Sequence, residues 1–261
     1  MNQKQNTLKV ATHNGIFHAD EITAIALLNI FLDDDIKVTR IEHNHNDFKL
    51  FDMVVDIGQK LDGKKYFDHH QYKGGKSSAG LIWQYLGLEK KYPKISKLIK
   101  IVDDNDTGVK KAQEFEYPNL LKCFNHKDIY SDEQDEAFGK AVEFAMVTLT
   151  SMKINQEEIV KAKDIVANSY MFDGNPAILE LESFTPHWGY YVNAQTMPHI
   201  KAVVWEDHGK WKIKLTPKRA GSFEINGKIL PQSDIMEFVH SAGFFAVADS
   251  EESMIQYLKN I

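Results

Sequence analysis

Six of the chain's eleven histidines fall between positions 13 and 70, and Asp20, Asp56 and Asp68 stand among them. Imidazole and carboxylate together suit a divalent ion of the Mn2+, Co2+, Zn2+ or Fe2+ type. His13, His18, Asp20, Asp56 and His69 supply that mixture from three separate stretches, THNGIFHADE, VVDIG and YFDHHQ. Three ligands hold one ion, and this set exceeds three. If one carboxylate bridges, the surplus suits two ions about 3.5 to 4 Å apart, which together activate a water and stabilise a leaving oxygen. Asp68, His69 and His70 are adjacent at the end of a hydrophobic strand, a costly arrangement unless the three are used. The run IVDDNDTG adds Asp103, Asp104 and Asp106. On a helix Asp103 and Asp106 share a face and Asp104 turns away, so either of that pair is the expected further ligand, with a solvated helix end as the alternative.

Other chemistries lack their signatures. No GxGxxG follows the first strand and no GxxxxGK[ST] is present. In YKGGKSSAG, Gly74 and Gly75 permit a close turn, and Ser77 and Ser78 either cap the next helix or face an anion. Lys218 and Arg219 would grip a substrate phosphate through paired donors or form an exposed charged turn. EHNHND, with His43 and His45, reads as a solvated loop. Cys123 is the single cysteine; it has no activating neighbours and cannot close an internal disulfide, which points to a reducing, cytoplasmic setting.

These side chains need elements to hold them. LKVAT (8–12) reads as a strand, EITAIALLNIFL (21–32) as a long apolar helix, and IKVTRI (36–41) as a strand again, the alternation of an α/β unit with a parallel sheet. DMVVDIG (52–58) reads as a buried strand ending at Asp56, and KKYF (64–67) as a short strand delivering Asp68. Carboxylates therefore stand where strands stop, the edge at which open α/β sheets bind ligands. SSAGLIWQYLG predicts a helix stopped by Gly87, KISKLIKIVDD a helix after Pro93, and 133–171 further helix interrupted around 154–156. Beyond that, AILELE, GYYVNA, IKAVVWE and WKIKLT alternate at strand period with DHGK as a hairpin turn; GFFAVA and SEESMIQYLKN read as a strand and a closing helix. The expected fold is α/β: a parallel-sheet N-terminal domain with a helical extension, 1–173, and a smaller mixed α+β C-terminal domain, 174–261, that contacts substrate.

At 261 residues with 43% hydrophobic content the chain buries a substantial core. No apolar run reaches the roughly 18 residues of a membrane span, and the polar start MNQKQNT is unlike an export signal. A net charge of -6 argues against coating long duplex DNA by charge alone, although bound cations can invert the local potential of an acidic site. Trp188, Tyr190, Tyr191 and Trp205 are available as stacking platforms or as core.

THNGIFHADE, VVDIG, FDHHQ, KSSAGLIW and VDDNDTG, with KRAGSFE (218–224) and FVHSAGFFAVADS (238–250), resemble the ordered motifs of the DHH-type phosphoesterase superfamily. They resemble most closely its melanocyte-proliferating-gene subgroup, often labelled metal-dependent protein hydrolases. The resemblance covers nearly the whole chain. It implies a 3′ to 5′ RNA exonuclease using a dinuclear metal-activated water, with single-stranded RNA or a short oligonucleotide as partner. Alternatives are a small-molecule phosphoesterase acting on cyclic dinucleotides, oligonucleotides or pyrophosphate, and a non-catalytic metal- and nucleotide-binding module. The implied ions are two, Mn2+ first, with Co2+, Zn2+, Fe2+ or Mg2+ admissible. The resemblance gives His13, His18 and Asp56 to one ion and Asp20, Asp56, His69 and Asp103 to the other, with Asp56 bridging. His70 would contact the scissile phosphate or protonate the leaving group, and Asp68 would orient the histidines. Wider superfamily members carry an aspartate where this chain has His18, with one less residue after the first histidine. The extra imidazole favours a transition metal over Mg2+. Homo-oligomerisation is left open, and no protein partner can be inferred.

Overall fold

The computed structural model describes residues 6–43, 48–217, 224–225 and 227–261. Lys218, Arg219 and His45 lie outside the described residues. The chain divides into two compact units, Met1–Ile154 and Asn155–Ile261.

In the first unit β1 (Thr7–His13) runs parallel to β2 (Asp35–Ile41) on one side and to β3 (Met53–Val55) on the other. β3 in turn pairs in parallel with β4 (Tyr66–Phe67), giving the order β2-β1-β3-β4. A parallel sheet covered on both faces needs apolar residues at successive positions. Val10 and Ala11, and all three residues of β3, are accordingly buried. The crossover from β1 to β2 is α1 (Ala19–Phe31), buried continuously from Ala19 to Leu28; a helix enclosed all round shows no strong apolar stripe. α2 (Ser78–Leu86) stops at Gly87, whose φ of 67° is the left-handed cap that favours glycine. α3 (Pro93–Asp106) starts on proline, which gives up no helical hydrogen bond there. α4 (Tyr117–Lys122) follows, and α5 (Asp132–Ala167) contributes Phe138, Ala141, Ala145 and Leu149 to the first core at helical spacing. That core gathers Ile22, Ile25, Leu27, Trp83, Ile95 and Ile99, each such side chain adding about 1.5 to 3 kcal/mol by leaving water.

The second unit holds a sheet of order β5-β6-β7-β8-β10-β9. Its strands are β5 (Tyr170–Met171), β6 (Ile178–Glu180), β7 (Ala202–Asp207), β8 (Lys210–Leu215), β9 (Phe238–Val239) and β10 (Phe245–Ala248), and α6 (Glu251–Lys259) closes the unit. β6 and β7 are parallel and every other neighbouring pair is antiparallel. His208 (φ 54°) and Gly209 (φ 74°) form the two-residue turn of the β7–β8 hairpin, the mirror-image geometry that matches strand twist.

The α/β expectation, with a parallel first sheet and a mixed second region, is met. Three local expectations are not: first, the helix read to 171 ends at Ala167, and Tyr170–Met171 pairs with β6 instead. α5 runs without interruption through 154–156, where the sequence holds neither proline nor glycine to break it. GYYVNA is no strand: Trp188–Tyr190 forms a 3-10 turn, and Asn193 Oδ1 accepts the amides of Gln195 and Thr196, a side-chain turn that competes with strand pairing. No helix among the described residues is long and apolar enough to cross a membrane.

Candidate metal centre

The carboxyl ends of β1, β3 and β4 bring the acids and imidazoles together. His13 is the last residue of β1, and five residues later His18 caps α1, whose first turn carries Asp20 and Glu21. The intervening loop is fastened from afar. Asn125 pairs with both the amide and the carbonyl of Phe17 (3.0 and 2.9 Å), and the Gly15 carbonyl accepts Arg40 (2.6 Å) and Gln134 (2.8 Å). Asp56 directly follows β3 with φ of 59°, a conformation unusual outside glycine and recurrent at functional sites. β4 delivers Asp68, His69 and His70, while α2 brings Ser77 and Ser78 and the last turn of α3 brings Asp103 and Asp106.

Asp56 stands at the middle. Its Oδ2 lies 3.3 Å from His13 Nε2 and its Oδ1 lies 3.4 Å from His69 Nε2, while Ser78 Oγ donates to Oδ1 at 2.8 Å. Burial alone would raise its pKa, but His13, His69 and Ser78 outweigh burial and hold the carboxyl well below the usual carboxylate range. His13 Nε2 also lies 3.1 Å from Glu21 Oε1, and its Nδ1 contacts the Asn14 carbonyl at 2.8 Å. Burial opposes charge on His13, yet Asp56 and Glu21 hold it up to about 11. His69 Nε2 faces three carboxylates, Asp106 at 2.8 Å, Asp56 at 3.4 Å and Asp20 at 3.6 Å. Against burial, these acids push His69 up to about 12. Asp20 is fully enclosed, and desolvation together with the Asp56 charge raises it well above its ordinary value.

Ligand atoms fall within 4.8 Å of one another in four overlapping groups: His13, His18 and Glu21; Asp56, His69 and His70; His18, Asp20 and Asp106; and Asp20, Glu21 and Asp56. Asp20 Oδ1 and Glu21 Oε2 are buried without a hydrogen-bond partner, orphaned acceptors whose burial is costly unless a cation completes them. Hard carboxylate oxygens mixed with neutral-capable imidazole nitrogens fit a divalent transition metal, so the residues present fit the implied ions.

Each residue singled out from the sequence has a definite place. His13, Asp20, Asp56 and His69 converge, and His18 caps the helix 6.0 Å, ring to ring, from His13. Asp68 Oδ1 contacts His70 Nδ1 at 2.8 Å, and this pairing raises the His70 pKa. Of the two acids that share a face of α3, Asp106 meets His69, whereas Asp103 accepts Ser77 N and Oγ at 2.9 and 2.7 Å. Both serine hydroxyls are thus spent on carboxylates. Glu21 was not anticipated; the signal was its place one residue after Asp20, on a helix whose first turn the metal reading already used. His43, read as part of a solvated loop, is exposed yet stacks on His13 with ring centroids 5.1 Å apart. It lines, with Phe48, Gln59, Asp68 and His70, a cleft of about 300 Å³ that opens beside Asp56.

The sequence profile of the family described as "MYG1_exonuc: Uncharacterised protein family (UPF0160)" matches residues 9–260. A MYG1 protein of Saccharomyces cerevisiae is 25% identical, covering 96% of this chain and 94% of the relative. The MYG1 exonuclease of Homo sapiens is 26% identical over 83% of this chain and 72% of its own. A MYG1 protein of Chlamydia trachomatis is 35% identical over 55% of this chain and 53% of its own. The solved structure of RecJ from Thermus thermophilus in complex with Mg2+ aligns with 96% of this chain and 48% of its own at 14% identity, with a TM-score of 0.29, too low to inform the chemistry.

Proposed function

This chain belongs to the uncharacterised protein family UPF0160, and from that premise we propose that its first unit is a metal-dependent phosphodiester hydrolase acting as a 3′ to 5′ exonuclease on RNA. What supports this above all is Asp56, whose two oxygens face His13 on one side and His69 on the other, beside the orphaned buried oxygens Asp20 Oδ1 and Glu21 Oε2. His13, His18 and Glu21 would hold one ion, Asp20, His69 and Asp106 the other, with Asp56 spanning both. Asp106 thereby takes the place that the motif resemblance gives to Asp103, which instead fixes the start of α2 through Ser77. Two divalent ions held here, Mn2+ first, supply Lewis acidity toward a phosphoryl group and lower the pKa of a water into the neutral range.

The chain's own residues do the rest. Asp68 holds His70 from Nδ1 at the edge of the cleft and favours its protonated form. His70 is thereby equipped to give a proton to the departing 3′ oxygen. Ser78 fixes the Asp56 carboxylate, and the fastened 14–18 loop fixes His18. Exonuclease is the name carried by the human, bovine and rat relatives; RNA and polarity rest on the motif resemblance.

Asp56→Asn tests this. Asparagine also tolerates positive φ, so the fold should persist. Removing a partner beyond the ligands of a metal site costs 10- to 100-fold, so loss of the spanning ligand should cost at least about 100-fold in Mn2+-dependent turnover. The assay compares 5′-labelled RNA, single-stranded DNA, cyclic dinucleotides, pyrophosphate and a peptide. A one-nucleotide RNA ladder that vanishes in the variant is the expected result. Turnover of pyrophosphate alone would make this a small-molecule phosphatase, and full activity of the variant would remove the metal centre from the reaction.

A further inference from the structure

One face of the second unit's sheet carries aromatic rings and amines together. Trp205 stands opposite Lys212, Val203 opposite Lys214, and Phe245 of β10 opposite Lys214 on its other side. Residues directly opposite share a face, so Trp205, Phe245, Lys212 and Lys214 all point to one side. The reverse side packs Val204, Ile213 and Leu215 with Met254 and Tyr257 of α6. On the aromatic side, a cleft of about 330 Å³ stays open, lined by Phe184, Trp205, Phe245, Lys212 and Lys214 among others.

Three rings stand in file along it. Phe184 stacks on Trp205 with centroids 4.8 Å apart and planes 22° from parallel, and Phe245 lies 6.2 Å beyond Trp205. Trp205 is buried and Phe184 is 46% exposed, so the aromatic surface open to a ligand belongs to Phe184. The indole N–H of Trp205 is buried with no acceptor. Lys212 is neutralised by Asp207, but Lys214 forms no ion pair among the described residues. An aliphatic peptide would leave this ammonium unanswered, and a bare phosphate would leave the rings unused. A flat ring system joined to a single phosphate uses both, because every nucleobase offers a π-face and each nucleotide one phosphate. The volume is that of a one-ligand pocket.

We propose that this cleft binds one nucleotide unit, with its base against Phe184 and its phosphate on Lys214. The site deepens the nuclease function proposed above, on which the choice of a nucleotide over other anionic aromatics rests.

The full chain in EDTA, titrated with AMP, adenosine and ribose 5-phosphate while its tryptophan fluorescence is followed, provides the test. AMP should saturate the signal more tightly than either fragment. Phe184→Ala should weaken AMP and adenosine at least about fivefold, as loss of one stacked base does, while Phe184→Tyr keeps wild-type binding. Lys214→Gln should weaken AMP severalfold and leave adenosine unchanged. No saturation by AMP, or equal AMP affinity in wild type, Phe184→Ala and Lys214→Gln, overturns the site. Because EDTA removes the ions, AMP binding that maps to Phe184 and Lys214 stands even if every hydrolysis assay is negative. An active nuclease whose AMP binding ignores both residues rejects this cleft alone.

Discussion

His13 and His69 each face carboxylates that make the protonated ring the favoured one, at about 11 and about 12. A ring that ligates a metal must be neutral, so ion and proton compete for the same nitrogen. In the ion-free protein both folded values lie above the unfolded one near 6.5. Their pairing therefore stabilises the fold fully below about pH 6.5, and that contribution is lost as pH rises from there through about 11 and about 12. Metal affinity has the opposite sign and weakens as pH falls. At pH 7.5 the ion-free centre holds protons on both rings. Binding Mn2+ should accordingly release about two protons. Calorimetric titration in buffers of different ionisation enthalpy reads that number directly, and a value of zero would mean that neither imidazole becomes a ligand.

Elements set the distances between these residues, and α2 shows how little slack they have. Gly80 lies against the Asp103 carboxylate, so closely that an added Cβ would overlap its oxygens. Those oxygens are also the acceptors of Ser77 at the head of α2. Gly80→Ala gains helix propensity but must push α2 and α3 apart or break the Ser77–Asp103 pair. Overpacking of this kind costs about 1 to 3 kcal/mol. A lowered thermal midpoint of the ion-free protein, recovered by Asp103→Ser in the same chain, is the expected result; an unchanged midpoint would show that the two helices can separate freely. Much of this architecture was legible beforehand. β1 to β4, α1, the Gly87 stop and the Pro93 start follow from local patterns that tertiary packing does not override. Trp188–Tyr190 and the following turn were not legible, because Tyr190, Tyr191 and Val192 carry strand propensity while Asn193 supplies a competing acceptor whose use depends on the turn forming first. α5 runs unbroken because a polar run in mid-helix costs little when no proline or glycine accompanies it.

At the scale of the whole molecule, the site was legible where residue type and strand ends coincide, and illegible where one helix turn decides. His13, Asp20, Asp56 and His69 could be foreseen because a parallel sheet gathers its carboxyl ends at one edge. The choice between Asp103 and Asp106 could not, since both lie on one face of α3 and only the approach of β4's His69 separates them. Glu21 escaped because an acid in a first helical turn is equally a cap, a role it also fills by accepting the His18 amide at 2.8 Å. All these ligands belong to the first unit, whereas the aromatic cleft belongs to the second. Ligand binding to the native state alone stabilises it by about 2.7 kcal/mol at one hundred times Kd, and that gain appears in the segments whose opening would release the ligand. Hydrogen exchange with saturating Mn2+ should therefore slow in residues 10–22, 53–57, 66–70 and 103–106. Peptides covering β7, β8 and β10 should exchange as before, and added AMP should slow those without the ion. Protection by Mn2+ confined to the second unit, with none around Asp56, would place the metal elsewhere in the chain and remove the reason for assigning hydrolysis to the first sheet's edge.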